Sequence, residues 1–182
     1  MKKIATWETV ASAYIHKHPF LSLRRDTRQA PEFGRHDFFI LEFPDWVNVV
    51  ALTEDNRVIL VRQYRHGLEE VNLEIPGGVV DPGEEAAAAA VRELREETGY
   101  APARVEALAS VSVNPAIQNN WCHLFLATGC RRAGAQNLDG TESIAVELVS
   151  LARLRALVET RQIHHSLNCL AITLALNKIS AR

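Results

Sequence analysis

Cysteine is scarce in this chain, long apolar runs are missing, and neither sign of charge dominates. The three cysteines, Cys122, Cys130 and Cys169, are odd in number and match no metal-ligand spacing, which argues against a disulfide framework or a zinc site. They read as reduced, partly buried thiols of a cytoplasmic protein. No segment approaches the ~20 apolar residues of a membrane span. The N-terminal stretch MKKIATWETVASAYI carries two lysines but no apolar run of signal-peptide length. Lys and Arg number 20 against 22 Asp and Glu, a net charge of −2, so neither general nucleic-acid binding nor attachment to an anionic membrane is expected. Repeats and low-complexity tracts are absent as well. What is present is a chain of 182 residues, 47% hydrophobic, enough for one domain with a substantial core and room for a small appendage.

The apolar pattern alternates between strand and helix periods. FLSLRRD (20–26) and HDFFILEF (36–43) read as short strands separated by the turn-rich RQAPEFG. VNVVALT (47–53) and RVILVRQY (57–64) form a hairpin across Glu54, Asp55 and Asn56. VNLEI (71–75) runs into Pro76-Gly77-Gly78, which has to turn sharply before a helix. Asp81-Pro82-Gly83-Glu84 carries helix-start features, with Asp81 as the cap candidate, and Gly99 stands where a helix-ending glycine belongs. Further strands are expected at 104–113, 120–128 and 143–149, then helices near 150–159 and 164–178. This order suggests an α/β fold, a mixed sheet covered by helices.

The densest chemistry lies between Gly78 and Tyr100. In the helical part, Ala87, Ala90, Val91 and Leu94 are spaced as one buried stripe. Glu93, Glu96 and Glu97 share a different arc, roughly 100° wide at about 100° per residue. Three carboxylates so close repel one another unless a positive charge sits among them. A hard divalent cation with oxygen ligands, Mg²⁺ or Mn²⁺, answers that need. An exposed Glu-rich face paired with Arg92 and Arg95 is the plainer alternative, but it explains neither the glycines nor the fixed offsets.

Gly78, Glu84, Arg92, Glu93, Leu94, Glu96, Glu97 and Gly99 match, at every spacing, the signature G-x5-E-x7-R-E-U-x-E-E-x-G-U, U being a bulky apolar residue. The segment therefore resembles the Nudix hydrolases. Only Tyr100 departs, aromatic where an aliphatic residue is usual. The resemblance covers about residues 46–160 and implies an α/β/α sandwich with a mixed sheet. Residues 1–45 then form an antiparallel β extension, and 46–182 the hydrolase domain. It further implies Glu93 and Glu97 as principal metal ligands, Glu96 as a third ligand or one acting through water, and the Gly77 carbonyl as a donor. Gly78, Glu84, Arg92 and Gly99 shape the loop and helix, with Arg92 pairing to an acid. Glu84 stays open between ligand and structural partner.

Pro115, sixteen residues after Gly99, together with VILVRQYRHG and NPAIQNNWCHLFLA, is similar to the ADP-ribose pyrophosphatase branch. That implies hydrolysis of the pyrophosphate in nucleoside diphosphate sugars, ADP-ribose first, with GDP-mannose, a dinucleotide, or ligand binding without turnover as alternatives. Arg62 and Arg65 suit phosphate or ribose, since guanidinium forks match phosphate oxygens; solvated edge-strand cations are the other reading. Glu74 either accepts from a sugar hydroxyl or pairs with one of these arginines. Trp46 either stacks on a base or packs at the domain edge. Glu142, in LDGTESIAV, matches the general-base glutamate of that branch, with Glu147 and Asp139 as fallbacks and Glu96 as an alternative within the helix. His164-His165 reads as a helix start. Relatives in this branch dimerise through an N-terminal extension, which implies a homodimer here.

Overall fold

The computed structural model describes residues 4–181, which divide into two compact units. One unit runs to Pro44 and takes in Ser112–Trp121; the other holds Asp45–Val111 and the chain from Cys122 onward.

The first unit is a three-stranded antiparallel sheet of β1 (Glu8–His16), β2 (Ser22–Ala30) and β3 (Gly34–Glu42), in the order β1-β2-β3. β1 was not expected from sequence. All nine of its residues are exposed, so it has no buried face to impose an apolar alternation. The turn between β2 and β3 is also tighter than RQAPEFG suggests. Phe33 N donates to Ala30 O at 3.2 Å, and Gly34 takes φ +73°, a left-handed value that glycine accepts without strain. Asp26 is the buried charge of this sheet, held by Ser12 Oγ at 2.6 Å, Arg24 Nε at 2.8 Å and Arg28 Nη2 at 3.0 Å. The Ser112–Trp121 segment joins it where Leu41 N donates to Ile117 O at 2.8 Å.

The second unit is built on a seven-stranded mixed sheet. Its strands are β4 (Trp46–Thr53), β5 (Arg57–Arg65), β6 (Glu70–Glu74), β7 (Tyr100–Ala101), β8 (Arg104–Ser112), β9 (Trp121–Arg132) and β10 (Ala145–Ser150). The path is β10-β5-β4-β9-β7, with β6 on β5 and β8 on β9. β4 and β9 run parallel, whereas β4 and β5 form the expected antiparallel hairpin, with Asn56 left-handed at φ +58°. Val47, Val49 and Ala51 of β4 pack with Ala89, Ala90 and Leu94 of helix α1 (Ala86–Thr98). The alternate residues Asn48, Val50 and Leu52 are buried too, and helix α3 (Ser166–Ser180) lies against the same strand. With side chains alternating at period two, β4 is covered on both faces, giving helix, sheet and helix layers. Helix α2 (Leu151–Glu159) packs beside β10 and β5 and is capped by Ser150 Oγ, which accepts from Arg153 N at 3.1 Å.

Two local expectations are corrected. The helix begins at Ala86, after Glu85, and Asp81 does not cap it. Asp81-Pro82-Gly83-Glu84 instead closes into a turn: Glu84 N donates to Asp81 O at 2.9 Å, Asp81 N donates to Glu84 Oε2 at 3.1 Å, and Gly83 takes φ +81°. The buried stripe is also rotated. Ala87 is exposed, while Ala89, Ala90 and Leu94 are buried together with Glu97 and Thr98. The arc of Glu93, Glu96 and Glu97 therefore borders the core: Glu97 is buried, and Glu93 and Glu96 are half-buried.

Candidate active site

The site is assembled where the loop after β6 meets the last two turns of α1. Beyond Glu74 the chain leaves its strand partner, and Pro76 has no N–H to give. Alternate carbonyls are tied to β4: Val49 N donates to Pro76 O and Val47 N to Gly78 O, both at 2.8 Å. The intervening Gly77 carbonyl stands outside this ladder, and Gly77 N donates to Glu97 Oε2 at 3.0 Å. The two glycines are needed for different reasons. A Cβ on Gly77 would strike the Val47 carbonyl, which is backbone; on Gly78 it would strike the Glu93 carboxylate.

Arg92 is the hub of the acidic cluster. Its Nε and Nη2 fork onto Glu84 at 3.0 and 2.8 Å, and Nη2 also reaches Val79 O at 2.9 Å. Nη1 donates to Glu93 Oε1 at 2.8 Å and to Glu96 Oε2 at 3.1 Å. Glu84 is held below the usual carboxylate range, first by its bonds from Arg92. One guanidinium therefore fastens the loop to the helix and bridges two of the three acids.

Glu93 and Glu97 are in the opposite situation. Burial raises the Glu93 carboxyl above its usual range; Arg92 opposes the rise, and the charges of Glu96 and Glu142 add to it. Glu97, 4% exposed, is pushed up to about 8 by burial, against the Gly77 N–H and with help from Glu93 and Glu142. The three acids are not gathered into one cage. Among the described residues no three His, Cys, Asp or Glu side chains form a metal-holding group, because Glu96 turns to Arg92 and Glu97 to the glycine loop. The donors nonetheless suit a hard divalent cation: a buried and a half-buried carboxylate one turn apart, both disfavoured as charges, and a glycine surface on which the Glu93 carboxylate rests. Glu93, Glu97 and the Gly77 carbonyl are the groups that would hold it.

Of the other residues singled out in the sequence, Arg65 and Glu142 act on the acidic pair through their charges. Arg65 forks onto the buried Glu74 at 2.9 and 2.8 Å, and the charges of Glu97 and Glu142 act on it. Arg62 pairs instead with Glu147 across β5 and β10, at 3.0 Å. Trp46 is half-buried at the start of β4, where its side chain meets the Cys122 thiol. Glu142 is exposed in a closed turn, its N donating to Asp139 O at 2.9 Å and its Oε2 accepting from Asp139 N at 3.0 Å. Pro115 is exposed and belongs to the first unit. Gly99 ends α1 at φ +74°, where a Cβ would strike the Gly134 carbonyl.

Sequence reasoning missed two polar groups that support the site. Asn168, 1% exposed on α3, accepts from Ile75 N at 2.9 Å just before Pro76 and contacts His165 Nδ1 at 2.9 Å. An asparagine inside LNCLAITLAL was the available signal, since a buried amide needs a partner. Gln136 donates to the carbonyls of Glu97 and Ile144 at 2.6 and 3.0 Å. Nothing in its loop sequence distinguishes it.

Similarity to known proteins agrees with this geometry. The chain is 30% identical over 173 residues to a methanol dehydrogenase activator of Bacillus methanolicus, covering 94% of both chains. It is 30% identical over 166 residues to an ADP-ribose pyrophosphatase of Bacillus subtilis, covering 91% of this chain and 90% of that one. A crystal structure of an ADP compounds hydrolase superposes with a TM-score of 0.87 over 100% of this chain and 98% of that one, at 21% identity, so the fold is shared. A family model described as the NUDIX domain matches residues 43–167, the stretch that contains the glycine loop, the acidic helix and the Glu142 turn, and the chain belongs to that family.

Proposed function

We propose that this protein hydrolyses the pyrophosphate of nucleoside diphosphate sugars, ADP-ribose foremost, with Mg²⁺ (Mn²⁺ as a substitute), releasing a nucleoside monophosphate and a sugar phosphate. The observation that carries this reading is the buried Glu97 and the half-buried Glu93, set against Gly77-Gly78 with Arg92 fastening the loop. Such groups are poor places for free charge and good ones for a cation bound to phosphate oxygens. When bound, a divalent ion neutralises the pyrophosphate and acidifies water. The 30% identity to an ADP-ribose pyrophosphatase over 90% of that enzyme supports the substrate class.

The protein's own groups divide the remaining work. Glu93, Glu97 and the Gly77 carbonyl hold the cation, with Glu96 as a third ligand directly or through water. Arg92 and Glu84 keep the loop closed on the helix. Arg65, oriented by Glu74, and Arg62 grip phosphate or ribose, and Trp46 stacks on the base. Glu142 takes the proton from the attacking water, which requires hydrogen-bond reach once substrate is bound. Pro115 is assigned to substrate binding from the resemblance alone. The compartment inferred is the cytoplasm, where three free cysteines, two of them buried, stay reduced.

A panel of ADP-ribose, GDP-mannose, UDP-glucose, NADH and diadenosine polyphosphates, each with Mg²⁺ and with Mn²⁺, tests the reading. The highest kcat/KM is expected on ADP-ribose. Preference for GDP-mannose or a dinucleotide would move the substrate and keep the chemistry. No turnover anywhere on the panel would favour a ligand-binding regulator.

A further inference from the structure

The segment that carries Glu142 is fastened to the end of the acidic helix. Helix ends leave carbonyls without intrahelical partners. At the end of α1 Arg95 O accepts from Gly99 N, and one short stretch meets other carbonyls: Gly99 O accepts from Ala133 N and Gly134 N at 2.8 and 3.2 Å, and Glu96 O accepts from Asn137 N at 2.9 Å. Between them, the Gln136 amide donates to Glu97 O at 2.6 Å and to Ile144 O at 3.0 Å. A primary amide has two N–H groups, and here both are spent on backbone carbonyls. One of those carbonyls belongs to the buried acid Glu97; the other lies two residues beyond Glu142. Residues 138–143 are thus an excursion whose two ends are pinned to each other and to the helix. Joining the ends shrinks the set of conformations the excursion can sample.

We propose that Gln136 is a positioning residue: its amide sets the reach of Glu142 toward the Glu93–Glu97 pair by locking the base of the 138–143 turn to the last turn of α1. The inference rests on the reading of Glu142 as general base. A general base has to arrive within hydrogen-bond distance of its water, and a misplacement of about 1 Å can cost ~10²-fold in rate. A loop free at one end spends most of its time elsewhere.

The test uses the full chain with Mg²⁺ and ADP-ribose. Gln136→Met keeps the length of the side chain and removes both donors. Gln136→Asn keeps the amide but is one methylene too short to span both carbonyls, and it serves if the methionine variant does not fold. Either should lower kcat by about 10–50-fold with KM within about threefold, smaller than the loss of the base itself because Glu142 is displaced and not removed. Amide hydrogen exchange at 138–144 should accelerate at least about tenfold while the first turns of α1 stay protected. In a Glu142→Gln background the same substitution should cost less than about twofold, because the group it positions is already gone. A folded variant with kcat within twofold of wild type overturns the proposal, as does unchanged exchange in the loop. Equal losses with and without Glu142 also overturn it, since Gln136 would then act through the helix alone. If Glu142→Gln itself keeps wild-type kcat, the general-base reading fails and the catalytic role of Gln136 falls with it; the exchange result then reports separately whether the anchor exists.

Discussion

At the scale of single residues, the two glycines before the acidic helix make the sharpest contrast. The atoms that a Cβ on Gly78 would meet are the end of the Glu93 side chain, which can swing away, so Gly78→Ala should fold normally. It should still lower kcat by ~10²-fold, because a displaced ligand costs about what a 1 Å misplacement costs. The atom met from Gly77 is the Val47 carbonyl, which cannot move without breaking the β4 ladder. Gly77→Ala should therefore lower the melting temperature by several degrees, roughly the effect of 1–3 kcal/mol of overpacking. Thermal melts and kinetics on both variants check this; equal destabilisation by the two would refute it. Glu97→Gln should cut kcat by ~10³-fold, about 4 kcal/mol of transition-state stabilisation. Its melting temperature in EDTA should match or exceed wild type, because burial disfavours the charge that the substitution removes. Retention of more than a tenth of wild-type kcat in saturating Mg²⁺ would remove Glu97 from the ligand set. Glu142→Gln should lower kcat by about 10²–10⁴-fold with little change in metal dependence, and activity within threefold of wild type would return the base role to Glu96 or to metal-activated water.

At the scale of elements, α1 is a helix whose position is decided at both ends by other parts of the chain. Arg92 ties it to the turn at Glu84, and residues 133–137 cap its carbonyls. The N-terminal sheet has a comparable anchor in Asp26. Its carboxylate is held well below the usual range, chiefly by the bond from Arg24, with burial opposing and Ser12 and Arg28 adding. The folded value lies below the unfolded ~3.9, so the contribution to stability is complete above about pH 4 and is lost as pH falls through the folded value. Asp26→Asn should cost about 1–3 kcal/mol at pH 7, the range for a hydrogen-bonded charge. The figure is modest because the sheet is thin: the carboxylate is hidden from water by Ser12, Arg24 and Arg28, with little protein behind them. Denaturant melts from pH 7 to pH 2 should show the gap between wild type and variant closing in acid. A gap independent of pH would mean that the amide substitutes fully for the ion pairs.

At the scale of the whole molecule, the N-terminal sheet leaves a good deal of apolar surface in water. Ile15 is 55% exposed and Phe39 53%, and Val10, Tyr14, Phe33 and Phe38 are exposed as well. A monomer rarely carries a patch of this kind without a use for it. We propose that a second copy of the chain covers it, making a homodimer. Light scattering at micromolar concentration should give twice the chain mass, and Phe39→Asp should shift the species toward monomer. A monomer mass for the wild type would end the idea, as would a fully active chain beginning near Pro44.

The amino-acid sequence by itself determined the order of the strands and helices other than β1 and β7, the acidic helix, the glycine turn and the family. Each of these is written in local spacing: period two in the strands, the fixed offsets from Gly78 to Gly99, and turn residues at Asn56 and Gly99. Only the tertiary structure decided which face of α1 is buried, because a run of alanines has no strong apolar side and the docking of Gly77 onto Glu97 chooses one. It likewise decided that Arg92 bridges Glu93 and Glu96, that Arg65 serves Glu74 while Arg62 serves Glu147, and that Asn168 and Gln136 hold the site from distant segments. Three of those contacts join residues far apart in the chain: Arg62 with Glu147, Ile75 with Asn168, and Glu97 with Gln136. A polar side chain on a loop or an apolar helix looks the same in sequence whether or not a carbonyl from elsewhere arrives to meet it.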